Sequence, residues 1–167
     1  NVYSRVVVSA AGKDMNWWER SETPPGGNFL TNGTEFYPKA LTEAVRIAVN
    51  EYGVDKPIYI TENGMDSPDD AVVDGIVADD ERIAYIEAFL GEAVAAVDEG
   101  YDVRGYYAWS LMDNYEWGAG YRPRYGLVHV DHDTRTRTYK KSAHWYRELA
   151  RVRSLASRAE AHAGSIE

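Results

Sequence analysis

The sequence predicts an α/β fold in which a strand, a long loop and a helix follow one another three times along 167 residues. Two observations support this prediction. Short apolar runs with β-branched and aromatic residues alternate with longer segments whose apolar residues recur at helical spacing. The long polar segments, which are rich in turn-forming residues, come after the strands. This alternation is typical of parallel strands joined by right-handed helical crossovers.

The first predicted unit begins with a strand at residues 1–8. Residues 9–35 then form one long loop, and a loop of this length usually serves a function. Pro38 suits the first turn of the helix that follows, and Gly53 ends that helix. The apolar residues of this helix recur at helical spacing: Leu41, Val45, Ala48 and Tyr52.

The second predicted unit begins with an apolar strand at residues 57–61, which stops where Glu62 precedes a strand-breaking Asn-Gly pair. A loop at 66–77 leads to a helix that begins at Asp79 and is closed by Gly100. The predicted apolar stripe of this helix is Ile83, Ile86, Leu90, Val94 and Val97.

The third predicted unit begins with a strand at residues 103–109, followed by a loop at 110–124. Two short strands at 127–130 and 135–138 flank a turn and predict a hairpin. A last helix is predicted at 140–157.

The order of these elements is compatible with a doubly wound sheet and with a (β/α)8 TIM barrel. The loops favour the barrel, because barrel enzymes keep their active sites on the loops that follow the strands. A complete barrel needs eight strands and about 250 residues. We therefore expect the C-terminal three units of a barrel over residues 1–157, with a frayed tail at 158–167. Since its edges are unpaired, we expect it to be incomplete or completed by another chain, either a second copy or an N-terminal barrel segment.

Composition and charge disfavour several classes of protein. The chain has no cysteine, which excludes a disulfide framework and a thiolate metal site. Its formal net charge of −9 disfavours nucleic acid as a partner. No apolar run reaches the ~20 residues that span a bilayer, so we expect no membrane partner. The lack of cysteine and of a leader favours a cytoplasmic location.

Glu62 is the first candidate catalytic residue. A carboxylate at the C-terminal end of a buried parallel strand lies where barrel enzymes carry out chemistry, although a strand that ends in a solvated glutamate gives the same pattern. The loop from Trp109 to Trp117 adds indole, carboxylate and amide groups, a mixture that suits the hydroxyls and ring face of a sugar. Core packing of the tryptophans and a turn at Asp113-Asn114 are the structural alternatives.

His129 and His132, with Asp131 and Asp133, form a cluster of residue types that can bind metals. Residues three apart on a strand face opposite sides, so we favour a structural role for this hairpin. The chain has no glycine-rich phosphate loop of the required spacing. We therefore expect neither a metal nor a cofactor.

Several segments, in order along the chain, resemble motifs of glycoside hydrolase family 1, the β-glucosidase and β-galactosidase group. Tyr59–Gly64 resembles the nucleophile signature of that family, and Gly105–Trp117 resembles its motif at the last strand. The other segments that resemble the family are Asn1–Ser4 at its sixth strand, Glu35–Pro38 before its sixth helix and Arg124–Asp131 after the last-strand motif. The resemblance runs from Asn1 to about Arg151, so the three predicted strands resemble the sixth to the eighth of the family barrel.

The resemblance implies a retaining glycoside hydrolase that cleaves terminal β-D-glucosyl or β-galactosyl residues. Glu62 matches the nucleophile, and Tyr3 matches the tyrosine that orients it by a hydrogen bond. The substrate-binding positions implied by the resemblance are Asn1, Trp109, Glu116, Trp117 and Tyr125, the last of which is more often phenylalanine in the family. A phospho-sugar is disfavoured, because Glu116 would repel a phosphate.

This sequence departs from the family pattern in two ways. Thr34 stands where many relatives have a tryptophan on the leaving-group side. The acid/base glutamate and several sugar ligands belong to earlier strands, a region that this sequence does not contain. Two hypotheses therefore follow from the sequence. One is a hydrolase that acts on a β-glucoside or related small saccharide, and the other is a sugar-binding or catalytically vestigial barrel fragment.

Overall fold

The computed structural model describes residues 1–10, 18–20, 27–30, 32–67 and 72–151. Its strands and helices, in chain order, are β1 (Val8–Ala10), β2 (Trp18–Arg20), α1 (Ala40–Asn50), β3 (Ile58–Asn63), α2 (Asp80–Asp98), β4 (Val103–Ala108), β5 (Val128–Val130), β6 (Arg137–Tyr139) and α3 (Lys141–Arg151). Most of the predicted loop at 9–35, the predicted helix end at 152–157 and the predicted tail at 158–167 lie outside the described residues.

β3 and β4 form a parallel pair that α2 connects, as the sequence predicts. Tyr59 lies opposite Gly105 and Ile60 lies opposite Tyr106 in the register of this pair. The strand does not stop at residue 61 but continues to Asn63, so its predicted end was wrong by two residues, although the strand does end within the Asn-Gly pair. The backbone oxygen of Asn63 accepts a hydrogen bond from Trp109 N at 2.8 Å, which keeps it in register with the end of β4.

The first predicted strand, at residues 1–8, was wrong. The strand found nearest to it is β1, which pairs antiparallel with β2. Earlier residues bond to the end of β3 instead: Val2 N donates to Glu62 O at 3.1 Å, and Val2 O accepts from Asn63 Nδ2 at 2.6 Å. Tyr3 O accepts from the Tyr85 hydroxyl at 3.1 Å. Because side chains satisfy these backbone carbonyls, the segment lies beside β3 without forming a regular ladder with it.

The hydrophobic core lies between the parallel pair and the helices, and its centre is aromatic. The rings of Tyr85 and Phe89 on α2 lie 4.6 Å apart, and the Phe36 ring lies 5.7 Å from that of Tyr85. This places the buried face of α2 differently from the predicted stripe, in which Ile86 alone is fully buried. The buried residues of α2 are Arg82, Tyr85, Ile86, Phe89, Ala93 and Ala96. Two large rings one helical turn apart therefore face the core, and an aromatic ring buries more area than a single aliphatic residue of the predicted stripe would.

The hairpin predicted after the third unit is present, with its second strand shifted by two residues. Val128 lies opposite Tyr139 and Val130 lies opposite Arg137 in the antiparallel pair of β5 and β6. α3 follows this hairpin directly, and Lys140 N donates to Leu127 O at 3.1 Å.

Within the described residues the strands form three two-stranded sheets and do not close a barrel. Ile58 and Ile60 of β3 pack in the core, so the residue that alternates with them, Tyr59, faces the other way. On that opposite face Tyr59 is 50% exposed, and Tyr107 of β4 is 56% exposed. In the described part of the chain, no helix is both long and apolar enough to cross a membrane.

Candidate active site

A pocket of about 420 Å³ opens beside the C-terminal ends of β3 and β4. Both strands lead into it, since Glu62 is the next-to-last residue of β3 and Trp109 follows β4. The residues that line the pocket are Tyr3, Leu30, Asn32, Thr34, Glu62, Gly64, Trp109, Glu116, Trp117 and Tyr125. Six of the seven residues that the sequence singles out as site residues are in this set, and Asn1 is the exception.

Glu62 is half-buried and accepts a hydrogen bond from the Tyr3 hydroxyl, with 3.2 Å between Tyr3 Oη and Glu62 Oε2. Burial raises the pKa of the Tyr3 hydroxyl, and the negative charge of Glu62 raises it further. Tyr3 therefore keeps its proton and donates to the carboxylate throughout the ordinary pH range. This bond fixes one oxygen of a carboxylate whose residue lines the pocket.

Glu62 is also held through its neighbour Asn63, which is fully buried. The amide of Asn63 donates to Val2 O and lies 3.3 Å from the Tyr85 hydroxyl, and its oxygen accepts from the Tyr106 hydroxyl. The N-terminal segment, α2 and β4 therefore all form hydrogen bonds with one side chain of β3. Because the amide is saturated with partners, the end of β3 has little freedom to move the carboxylate.

Gly64 allows the loop after β3 to pass directly against the loop after β4. A Cβ atom at this position would lie 1.9 Å from the backbone oxygen of Trp109, which no side chain could tolerate. The Trp109–Ser110 peptide bond at the contact is cis. The glycine that the sequence marks as a turn residue is therefore required for close backbone approach rather than for an unusual φ.

Trp109, Glu116 and Trp117 form one wall of the pocket. The indole N–H of Trp109 donates to Glu116 Oε1 at 3.2 Å, and this holds the carboxylate towards the pocket. Trp117 has a φ of 46° and begins a 3-10 turn at Trp117–Ala119. Its side chain is 84% exposed, so a large flat ring lies open at the rim.

Tyr125 lines the pocket from the loop that follows the third predicted strand, and it contacts the loop before α1. Its hydroxyl accepts a hydrogen bond from Asn32 Nδ2 at 3.3 Å, while Asn32 Oδ1 accepts from Thr34 N at 2.9 Å. Burial raises the pKa of the Tyr125 hydroxyl. Asn1 does not reach the pocket, because its Oδ1 accepts from the Thr61 hydroxyl at 2.8 Å and its side chain is exposed.

Asp113 is a buried anchor of the loop rather than a group that faces the pocket. Its Oδ1 accepts from Gly126 N at 2.9 Å and from Lys140 Nζ at 3.1 Å. Its Oδ2 accepts from Val130 N at 3.3 Å and from Arg124 Nη1 at 3.4 Å. The side chain has a structural role, but through distant partners rather than through the local turn that the sequence suggested. Its partners lie from 11 to 27 residues away, so the local sequence gave no signal of them.

The sequence predicted only that a helix begins at Asp79, and this understated the role of its carboxylate. It is buried, pairs with Arg82 at 2.8 Å, and accepts from the Ser142 backbone N–H at 2.8 Å and from the Ser142 hydroxyl at 2.5 Å. It therefore ties the start of α2 to the start of α3. The signal available in the sequence was the opposite charge three residues later, which is a helical neighbour.

The hairpin histidines are packed among aromatic and acidic groups. The ring of His132 lies 4.4 Å from that of Tyr121, and His129 Nδ1 lies 3.7 Å from Asp113 Oδ2. Across the described ranges, no three His, Cys, Asp or Glu side chains are grouped so as to hold a metal ion.

Comparison with known families gives a match to the model described as glycosyl hydrolase family 1, over residues 12–155. The chain belongs to this family. It is 41% identical over 146 residues to a bifunctional β-D-glucosidase/β-D-fucosidase of Bifidobacterium breve, a match that covers 85% of this chain and 30% of the relative. It is also 43% identical over 119 residues to a 6-phospho-β-galactosidase of Streptococcus equi subsp. zooepidemicus, covering 71% of this chain and 25% of the relative.

Solved structures of the family share the fold of this chain. The β-glucosidase of Exiguobacterium antarcticum B7 matches with a TM-score of 0.82 and 36% identity, covering 90% of this chain and 33% of that structure. The virulence factor SghA of Agrobacterium tumefaciens, solved with its substrate analogue salicin, matches with a TM-score of 0.81 and 38% identity, over 90% of this chain and 33% of that one.

The chain spans about a third or less of the length of these relatives. The structures it matches are TIM-barrel enzymes, so its α/β units correspond to part of such a barrel. The expected fold is therefore confirmed.

Proposed function

We propose that the protein acts as a retaining β-glycosidase with Glu62 as its nucleophile. The observation that carries the proposal is the half-buried Glu62 carboxylate, held by Tyr3 at 3.2 Å inside a pocket walled by Trp109, Glu116 and Trp117. Membership of glycosyl hydrolase family 1 supports the same reaction class. A carboxylate with one oxygen fixed, on a residue that lines a sugar-sized cavity, is suited to attack at an anomeric carbon.

In the proposed reaction, the other carboxylate oxygen of Glu62 forms a bond to the anomeric carbon as the bond to the leaving group breaks. The leaving group departs with the bonding electron pair, and a glycosyl ester of Glu62 results. Water then attacks the same carbon from the opposite face and gives up a proton to the departed leaving-group anion or to solvent. The ester bond to Glu62 breaks, which returns the carboxylate and releases the sugar with its original configuration. Tyr3 donates to the carboxylate when it is charged, and so stabilises the free enzyme and the state in which the charge returns.

The pocket wall suits the glycone of a β-glucoside. The exposed ring of Trp117 offers a face for the sugar C–H groups, and the Glu116 carboxylate accepts hydrogen bonds from hydroxyls. Tyr125 and Trp109 complete the contacts in this proposal. Asn1 lies outside the pocket in this structure, and we propose that it supports the nucleophile strand through Thr61 rather than contacting the sugar.

The charge of the pocket favours a neutral sugar over a phosphorylated one. Glu62 and Glu116 are both acidic, and no lysine, arginine or histidine is among the described residues that line the pocket. A sugar phosphate carries a charge of roughly −1.5 to −2 at neutral pH, which such a pocket would repel. The relative named as a β-glucosidase/β-fucosidase is therefore the better guide to the substrate than the one named as a 6-phospho-β-galactosidase.

A further part of the proposal concerns what completes the barrel. The face of β3 and β4 that carries Tyr59 and Tyr107 is half exposed, and the chain matches a third of its structural neighbours. We propose that an N-terminal barrel segment covers this face and supplies the acid/base carboxyl, whereas a second copy would cover the face without supplying that carboxyl. Sedimentation of the chain alone and with that segment tests this, because a compact monomer that gains nothing from the segment would contradict it.

A second candidate is a sugar-binding module without turnover. It is favoured because no proton donor is evident among the described residues of the pocket: Glu62 is the proposed nucleophile, Glu116 accepts from Trp109, and no third carboxylate of that set lines the cavity. Retention requires a second carboxyl about 5–5.5 Å from the nucleophile. Binding of glucose without release of an aryl leaving group would support this candidate.

The experiment that tests the proposal is release of nitrophenolate from aryl β-glucosides, because this leaving group departs without a proton. We expect the β-glucoside and β-galactoside to be cleaved and their 6-phosphates to be poor substrates. E62Q should abolish release, and E87Q, which removes an exposed carboxylate from α2, should not change it. Equal activity in E62Q and the unchanged protein would overturn the proposal.

A further inference from the structure

Arg82 is a deeply buried charged side chain to which the proposed reaction gives no role. It lies in the first turn of α2 and is 1% exposed. Burying a guanidinium is costly unless every N–H finds an acceptor. A helix residue whose only task was packing would be apolar, so the acceptors of Arg82 indicate what it does.

Its carbonyl acceptors belong to two of the segments that contribute to the pocket, the loop after β3 and the segment that carries Tyr125. Nη1 donates to Met65 O at 2.5 Å and to Tyr125 O at 3.2 Å, and Nη2 donates to Arg124 O at 2.8 Å. Met65 comes three residues after Glu62, and Tyr125 itself lines the pocket. One planar group therefore spans the loop after the nucleophile and the opposite pocket wall.

The remaining side of the guanidinium is fixed as well. Nε donates to Asp79 Oδ2 at 2.8 Å, and Asp79 is held by the backbone and hydroxyl of Ser142 at the start of α3. The orientation of the fork is thus set from two helices. Asp66 Oδ1, which accepts from Arg124 N at 2.8 Å, joins the same two loops at a second point.

We propose that Arg82 is a positioning residue, which sets the distance between the loop after Glu62 and Tyr125 so that both contact the same sugar. The effect on sugar binding rests on the proposed function. The effect on the spacing of the two segments rests on the hydrogen bonds alone. Arginine is required because its fixed fork reaches three carbonyls and a carboxylate at once, which an ammonium on a flexible stem cannot do.

The test compares R82K with R46K. Lysine at 82 keeps the charge beside Asp79 but loses the fork. Arg46 makes a two-point ion pair with Glu99 on the surface, so R46K makes the same chemical change away from the pocket. R82Q, which keeps N–H donors without the charge, gives a second change at the same site.

The first measurement is amide hydrogen exchange, which needs no activity. We expect R82K and R82Q to raise exchange in peptides that cover 64–67 and 123–127, with α1 and β4 unchanged. R46K should change neither loop. Exchange that rises evenly along the chain, or that stays unchanged in both loops, would overturn the inference.

The second measurement is labelling of Glu62 by a glucosyl fluoride with fluorine in place of the 2-hydroxyl. We expect R82K to raise the reagent concentration that gives half-maximal labelling by about tenfold. The maximal labelling rate should stay within about threefold of that of the unchanged protein, because the variant displaces a wall that binds the sugar rather than the nucleophile. Equal losses in both quantities would contradict this. If the unchanged protein takes up no label, the proposed function fails, while the exchange result still decides the role of Arg82.

Discussion

The buried pair of Asp113 and Lys140 supports a prediction whose size follows from the structure. Both side chains are 0% exposed, and Asp113 Oδ1 lies 3.1 Å from Lys140 Nζ. D113N keeps the shape of the side chain but removes a negative charge that lies 3.1 Å from the buried ammonium. The substitution also replaces one carboxylate oxygen by an N–H₂ group. Gly126 N and Val130 N donate to different oxygens of Asp113, so the amide N–H₂ faces a backbone donor in either orientation.

Removing one partner of a buried ion pair costs about 3–5 kcal/mol, since the other charge stays buried. The free energy of unfolding of a domain is about 5–15 kcal/mol, so the loss is a large share of the total. With a urea dependence of about 2 kcal/mol per molar, the unfolding midpoint should fall by about 2 M. D133N removes an exposed carboxylate of the neighbouring hairpin and should change the free energy of unfolding by less than about 0.5 kcal/mol.

The assay is urea unfolding followed by circular dichroism, with the double variant D113N/K140M beside the single one. K140M removes the ammonium that D113N leaves buried, so the double variant should be more stable than D113N alone. A loss of less than about 1 kcal/mol in D113N, or a double variant that is no more stable than the single one, would refute the reasoning.

Three further predictions follow from the site and core. G64A should lower the free energy of unfolding by about 1–3 kcal/mol or more, because the added methyl group clashes with Trp109 O. G91A, in open space inside α2, should raise it by about 1 kcal/mol. Urea unfolding of both variants checks this prediction, and equal effects would contradict it. Burial raises the pKa of Tyr85 and Tyr106 above the ordinary 10.0, so unfolding releases a proton above that pH. The free energy of unfolding should keep its full contribution from these hydroxyls below about pH 10 and then fall by about 1.4 kcal/mol per pH unit for each. Urea unfolding across this pH range in which Y85F does not flatten the fall would contradict the prediction. E116Q should weaken binding of deoxynojirimycin about tenfold or more in calorimetry, because hydrogen bonds to a charged acceptor are lost; unchanged affinity would exclude Glu116 from the sugar site.

The parts of the fold that could be predicted from sequence are those set by local pattern. The alternation of β3, α2 and β4 follows from the periodicity of their own residues, and so does the hairpin of β5 and β6. The position of Glu62 at the end of a strand was also a local observation. The contact between Tyr3 and Glu62 was not, since 59 residues separate them and only the family resemblance implied it.

The parts that could not be predicted depend on contacts between distant residues. An apolar stripe assigns charged residues to the surface, so no pattern could place Arg82 under the pocket, where its carbonyl acceptors lie 17 to 43 residues away. The first strand was wrong for a related reason. Residues 1–8 have strand character, but the carbonyls of Val2 and Tyr3 are satisfied by side chains of Asn63 and Tyr85 rather than by a ladder.

The most direct test of the central claim is the intact mass of the protein after reaction with the fluorinated glucosyl fluoride. Glu62 should displace fluoride from the anomeric carbon without a proton donor, and the missing 2-hydroxyl should slow breakdown of the ester. The account predicts one added fluoroglucosyl group, located on the peptide that contains residues 59–64 and absent in E62Q. A label on Glu116 or elsewhere, or one that persists in E62Q, would contradict it.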